Sequence, residues 1–141
     1  MRILLAVDGS DHALRATRHC IASHDWYRET PEIHLITVQT PIASGAVTMF
    51  FSHEQLNSYY QEQAQQALRP AQSALNGAGV SYVEHIGVGE ISDTVVAFAN
   101  KLGCRLLVMG TRGMGSIPNM LLGSVATKVL HLATIPVVLV K

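Results

Sequence analysis

Charge is scarce in this chain, and neither sign dominates: ten lysines and arginines against ten aspartates and glutamates leave the 141 residues with a formal net charge of zero. Without a basic excess there is no whole-chain electrostatic footprint for nucleic acid or an anionic membrane surface. Cysteine is nearly missing. Cys20 and Cys104 stand alone, which gives neither a disulfide framework nor a C-x-x-C redox pair, and both read as reduced packing residues. No apolar run approaches the length of a membrane span. The opening Met1-Arg-Ile-Leu-Leu-Ala-Val-Asp8 is too short for a secretory apolar region and carries no cleavage site, so a cytoplasmic protein is expected. Internal repeats and linkers are also lacking, which leaves one domain over residues 1–141. What is abundant is apolar content, 48% of the chain, as a well-buried parallel sheet requires.

Apolar strand segments alternate with amphipathic helical ones. Strands are expected at Arg2 to Val7, Glu32 to Val38, Val80 to Ile86, Leu106 to Met109 and Val137 to Val140, the last introduced by Pro136. Between them lie a helix started by Ser10 or Asp11, a long helix from about Glu54 to Leu75, a third from Ile91 to Leu102, and a fourth from Leu121 to Leu132. The long helix buries a stripe of Leu56, Tyr60, Ala64, Ala67, Ala71 and Leu75, and Gln61 to Gln66 reads as its solvated face. Thr40 to Ser52, with Pro41 and Gly45, reads as a loop. Its Met49-Phe50-Phe51 triplet reads first as a tucked loop, with a lid or a partner surface as alternatives. Alternation of this kind implies an α/β fold, an open doubly wound parallel sheet with helices on both faces.

The chemistry concentrates in the last third. Gly110-Thr111-Arg112-Gly113, then nine residues, then Gly123-Ser124 lies between a strand and a helix and reads as a phosphate-binding loop. Glycines at 110, 113, 115 and 123 are expected to supply positive φ and close backbone approach, and the free N–H groups opening the helix to hold an anion. The signal points to a nucleotide, although not of the commonest kinds. Gly110 and Gly115 fit G-x-x-x-x-G, but Ser116-Ile117 follows, so the Lys-Ser/Thr of a Walker loop is missing. Asp8-Gly9-Ser10-Asp11-His12-Ala13 has one glycine where a dinucleotide fingerprint needs three. A phosphoacceptor receiver domain would need an acid after the third strand, where Ile86-Gly87 stands. The seven histidines do not build a metal site in sequence. His12 and His19 share a helix face about 10 Å apart, too far for one ion at about 2 Å per bond, and the other five lie apart from cysteines or paired acids.

Taken together, Ala6-Val-Asp-Gly-Ser10 at the end of the first strand, the Gly110-x2-Gly113-x9-Gly123-Ser124 spacing, and the closing Ile135-Pro-Val-Val-Leu-Val140 strand resemble the ATP-binding branch of the universal stress protein family over essentially the whole chain. The resemblance implies strand order 3-2-1-4-5 and a nucleotide held by Val7, Asp8, Val38, Met109, Gly110, Arg112, Gly113, Gly123, Ser124 and Val125. Asp8 would accept hydrogen bonds from ribose or an adenine amine, its alternative role being a cap on the following turn; main-chain groups near Val38 would meet adenine, and Arg112 the phosphates. The implied ligand is ATP, with magnesium carried by its phosphates. Many family members have a basic residue where this chain has Ile117-Pro118-Asn119-Met120, which leaves ADP or AMP open beside ATP. A regulatory, stress-response binding protein is expected, with slow ATP hydrolysis or phosphotransfer as the alternative. A homodimer is expected through the apolar C-terminal strand, paired antiparallel about a twofold axis.

Overall fold

The structure, a computed structural model, describes residues 1–42, 45–115 and 121–141. Five parallel strands form a single sheet in the order β3-β2-β1-β4-β5, with β1 at Arg2–Ala6, β2 at Glu32–Gln39, β3 at Tyr82–Val88, β4 at Leu106–Gly110 and β5 at Val137–Val140. Helices α1 (Asp11–Ala22) and α3 (His53–Gly77) cover one face, and α4 (Ile91–Lys101) and α5 (Ser124–Leu132) the other. The expected α/β fold and strand order are therefore present.

Side chains alternate across each strand, so one run of apolar residues serves two cores. Ile3, Leu5 and Val7 of the first segment, with Ile33, Leu35 and Val108, pack on Ala13, Ala16, Leu68 and Leu75. Their neighbours Leu4, Ile36, Leu107 and Met109 pack on Val95, Ala99, Ala126 and Val129. The registers Leu5↔Leu35 and Leu5↔Val108 keep equivalent faces level across the sheet. Both cysteines are free and buried in these cores, and burial pushes the Cys20 thiol up to about 11.

Local chemistry sets the ends of the elements. The Ser10 hydroxyl accepts from Ala13 N at 3.2 Å and starts α1. Ser52 and Gln55 form a capping box at the start of α3, a helix that runs on through Pro70. Several expected boundaries move for physical reasons. Val80 donates its N–H to Leu75 O and so belongs to the close of α3, which delays β3 to Tyr82. Gly123 is extended (φ −74°, ψ 163°), so α5 begins at Ser124 and not at Leu121. The Thr40–Ser52 loop contains a short helix, α2, at Gly45–Thr48.

His34 and His85, remote in sequence, meet on the α4 side of the sheet. Their rings stack at 5.2 Å, and Nδ1 of His34 lies 2.9 Å from Nε2 of His85, one donating and the other accepting. His34 is 5% exposed; its Nε2 lies 3.4 Å from Glu32 Oε1 without making a hydrogen bond. Among the described residues no group of three His, Cys, Asp or Glu side chains could hold a metal ion. Burial first, then the neighbouring His34 and Lys101, lower the His85 pKa from 6.5. A depressed histidine pKa means the unfolded chain binds more protons, so the pair's stabilisation is present above about 6.5 and is lost as pH falls through the depressed value. The melting temperature should therefore drop between neutral and mildly acidic pH, and less steeply in His85→Gln; equal slopes for parent and variant would remove the pair from the account.

Candidate functional site

The strand order reverses between β1 and β4, and in open sheets of this kind a crevice forms outside the carboxyl ends of the strands at that reversal. Here it is a cleft of about 840 Å³. All ten residues expected from the sequence line it. Val7 and Asp8 come from the end of β1, Val38 from β2, and Met109 and Gly110 from β4. Arg112 and Gly113 follow in the glycine turn, and Gly123, Ser124 and Val125 come from the start of α5.

Two elements that the sequence analysis did not assign to the site, α3 and α4, also contribute, as do further residues at the end of β2. Gln63, Gln66 and Ala67 reach the cleft from α3, Ile91 and Val95 from α4, and Gln39 and Thr40 continue β2. Gln63 and Gln66 border the cleft as well as solvent, Gln63 half-buried and Gln66 exposed, and their i, i+3 spacing on α3 puts both amides on that side of the expected solvated Gln61–Gln66 face. The tucked-loop reading of Met49-Phe50-Phe51 fails, since these residues are 86%, 84% and 49% exposed. The Ile117–Met120 stretch, singled out above for lacking a base, lies outside the described residues.

The glycines serve a different purpose from the one expected. Of the four in the turn region, Gly115 alone has positive φ, at 73°. Gly110 and Gly113 are needed for the space a Cβ would fill, and Gly123 is not. At Gly110 that atom would sit 2.8 Å from the backbone of His12, so the end of β4 and the start of α1 touch main chain to main chain. At Gly113 it would run into the Asp8 carboxylate, whereas at Gly123 the nearest atom is Arg112 Cα at 3.4 Å, an ordinary contact.

Asp8 both caps and bridges. Oδ1 accepts from Ser10 N and Oδ2 from Met114 N, each at 3.0 Å, so one exposed carboxylate ties the first turn of the chain to the glycine loop. The loop's N–H groups are consequently not all available to a ligand. Met114 N is taken by Asp8, and Gly123 N donates to Thr111 O at 2.8 Å, which folds the start of α5 back on β4. The available donors lie further on. Gly123 offers α5 no side-chain cap, so the first N–H groups of that helix, at Ser124, Val125 and Ala126, which line the cleft, have no intrahelical acceptor. They carry the positive end of the helix dipole. Arg112 adds a cation, and its Nε is buried with no hydrogen-bond partner among the described residues.

The arrangement is thus a cleft with apolar walls from Val7, Ile36, Val38, Val95 and Met109, and with an anion-attracting end made by α5 and Arg112. A model of the universal stress protein family matches residues 1–141. The chain belongs to the universal stress protein family. A universal stress protein of Methanocaldococcus jannaschii is 31% identical over 141 residues, which span 99% of this chain and 81% of that protein. Among solved structures, the universal stress protein of Archaeoglobus fulgidus in complex with dAMP is 26% identical, with a TM-score of 0.68 over 100% of this chain and 98% of the other. A universal stress protein in complex with cAMP is also 26% identical, with a TM-score of 0.71 over 100% and 97% of the two chains.

These contacts rank the glycine substitutions of this universal stress protein. Gly110→Ala forces α1 away from β4 and should cost about 1–3 kcal/mol. Gly123→Ala should stay close to the parent, and Gly113→Ala should fold while releasing Asp8 from Met114. Urea unfolding measures the first two, and loss of protection from amide exchange at Met114 the third. Equal stabilities for Gly110→Ala and Gly123→Ala would contradict the ranking.

Proposed function

We propose that this universal stress protein is an adenine-nucleotide-binding regulatory protein of the cytoplasm, with the nucleotide in the cleft between β1 and β4. The observation that carries the reading is the uncapped start of α5 facing Arg112 at the end of a crevice with apolar walls. A phosphate there is met by backbone N–H groups and a guanidinium, and a base is met by Val7, Val38 and Met109. The dAMP and cAMP complexes of relatives 26% identical support the same ligand class.

Within that class the ligand is ATP, with ADP and AMP as weaker occupants. Asp8 stands at the rim as an acceptor for hydroxyl or amine donors, because an ionised carboxylate accepts only. Its two backbone bonds fix the direction in which its remaining lone pairs point. Asp8 is the carboxylate among the residues lining the cleft, and a magnesium ion would be carried by the phosphates. Mass spectrometry of nucleotide retained through purification identifies the ligand. Ligand at 100 times its dissociation constant should stabilise the fold by about 2.7 kcal/mol. Calorimetry with no heat, together with no thermal shift at millimolar ATP, ADP or AMP, would sink the reading.

The protein acts as a homodimer joined through β5. That strand is an edge of the sheet with no charged side chain between Val137 and Val140. Pro136 O and Val140 O accept from Leu107 N and Thr111 N, so the backbone groups of residues 136, 138 and 140 face β4, while those of Val137 and Leu139 face outward. A second copy paired antiparallel about a twofold axis satisfies that row. Leu139→Pro removes an outward N–H without touching the β4 ladder. Sedimentation should find a dimer for the parent at micromolar concentration and a folded monomer for the variant, and a parent that is monomeric at tens of micromolar would refute the pairing.

A further inference from the structure

Helix α3 meets the turn after β1 main chain to main chain: a Cβ on Gly9, whose φ is 83°, would lie 3.2 Å from Ala67 Cα. The helix leaves the carboxyl end of β2 and leads to the amino end of β3, which runs parallel to β2, so it descends antiparallel to the strands. Gln63, one turn before Ala67 on the same side, therefore stands about 6 Å beyond the level of Gly9, outside the strand ends. It is half-buried and lines the cleft, whereas Gln65 and Gln72 of the same helix give their amides to Glu84 at 2.8 and 2.6 Å.

Across the sheet, α3 lies over β2, since its Leu68 and Leu75 share a core with Ile33 and Leu35. The start of α5 follows β4, and β1 stands between β2 and β4, so the two ends of the cleft are two strand spacings apart, about 10 Å. A nucleotide with its phosphate at α5 carries its base to the β2 end, beside Gln63. The walls there, Val7, Val38 and Met109, pack against any purine. Asp8, an acceptor only, takes amine protons from adenine and guanine alike. Neither tells one purine from another.

A carboxamide holds an acceptor oxygen beside a donor NH2. Adenine presents the matching edge, its 6-amine as donor next to N7 as acceptor, and a glutamine amide closes both bonds at once. A 6-oxopurine presents two acceptors on that edge, which leaves the amide oxygen facing a lone pair. The foothold of α3 on Gly9, beside β1, sets Gln63 alongside the base and not at its far tip, so the edge it meets is that of the 6-amine and N7. Gln39, also half-buried in the cleft, pairs with Val88 of β3 at the outer margin, and Gln66 is exposed. We propose that Gln63 is the residue by which the cleft selects a 6-aminopurine over a 6-oxopurine, an assignment that rests on the nucleotide reading of the cleft.

Calorimetric titration of the parent and Gln63→Leu with AMP, IMP and 7-deaza-AMP tests this, because IMP replaces the 6-amine by oxygen and 7-deaza-AMP removes the N7 acceptor. The parent should bind AMP about tenfold or more tightly than either analogue, and Gln63→Leu should bring all three within about twofold of one another. Retained binding of IMP also shows that the variant is folded. If the leucine variant does not fold, Gln63→Met, closer in shape, takes its place. A parent that fails to separate AMP from either analogue, or a preference that survives in the variant, overturns the assignment while leaving the cleft's nucleotide reading intact. Loss of all three ligands from a folded variant overturns it too. A parent that binds none of the three overturns both.

Discussion

Asp8 holds together two parts of the chain that are remote in sequence. One carboxylate accepts from Ser10 N, which shapes the turn into α1, and from Met114 N, which fixes the glycine loop beyond β4. Beneath it, Gly110 lets β4 press against the backbone of His12 at a distance no side chain would allow. These contacts are possible because the sheet changes direction between β1 and β4, bringing two loops side by side at one end of the strands. The cleft and the approach to α5 both take their shape from this junction. A carboxylate bound by two main-chain amides is also a directed one, so the same contacts that shape the loops orient Asp8 toward whatever enters.

The charges around the cleft follow a simple division. Backbone dipoles and Arg112 attract an anion at the α5 end, apolar side chains from three strands line the middle, and the amides of Gln63 and Gln66 border the cleft from α3. Such a gradient from apolar to positive suits a ligand that is itself a base at one end and a phosphate at the other. The whole-chain charge of zero is consistent with it, since backbone dipoles attract an anion through partial charges that no residue count records.

The sheet and its order were legible because a two-sided parallel sheet writes itself as continuous apolar strands alternating with helical periods. The position of the cleft was legible in the residue that follows the first strand and the one that ends the fourth, Asp8 and Gly110, which both line it. The purpose of the glycines was not legible. Spacing shows that a residue is small, but whether φ or a neighbouring backbone demands it depends on what packs there, and at Gly110 that neighbour is His12 of another element. For the same reason α3's share in the cleft was missed, since Gln63 and Gln66 read as solvated until the path of the helix is known. The His34–His85 pair joins β2 to β3 across 51 residues, a contact set by strand register alone.

That a phosphate sits on the first turn of α5 is the centre of this account. Amide NMR during titration with AMP tests it most directly, because a hydrogen bond to phosphate moves a backbone N–H resonance downfield. The account predicts downfield shifts for Ser124, Val125 and Ala126, with those of Met114 and Gly123 smaller because their N–H groups already have acceptors. Saturable binding that leaves the α5 amides unmoved would contradict it.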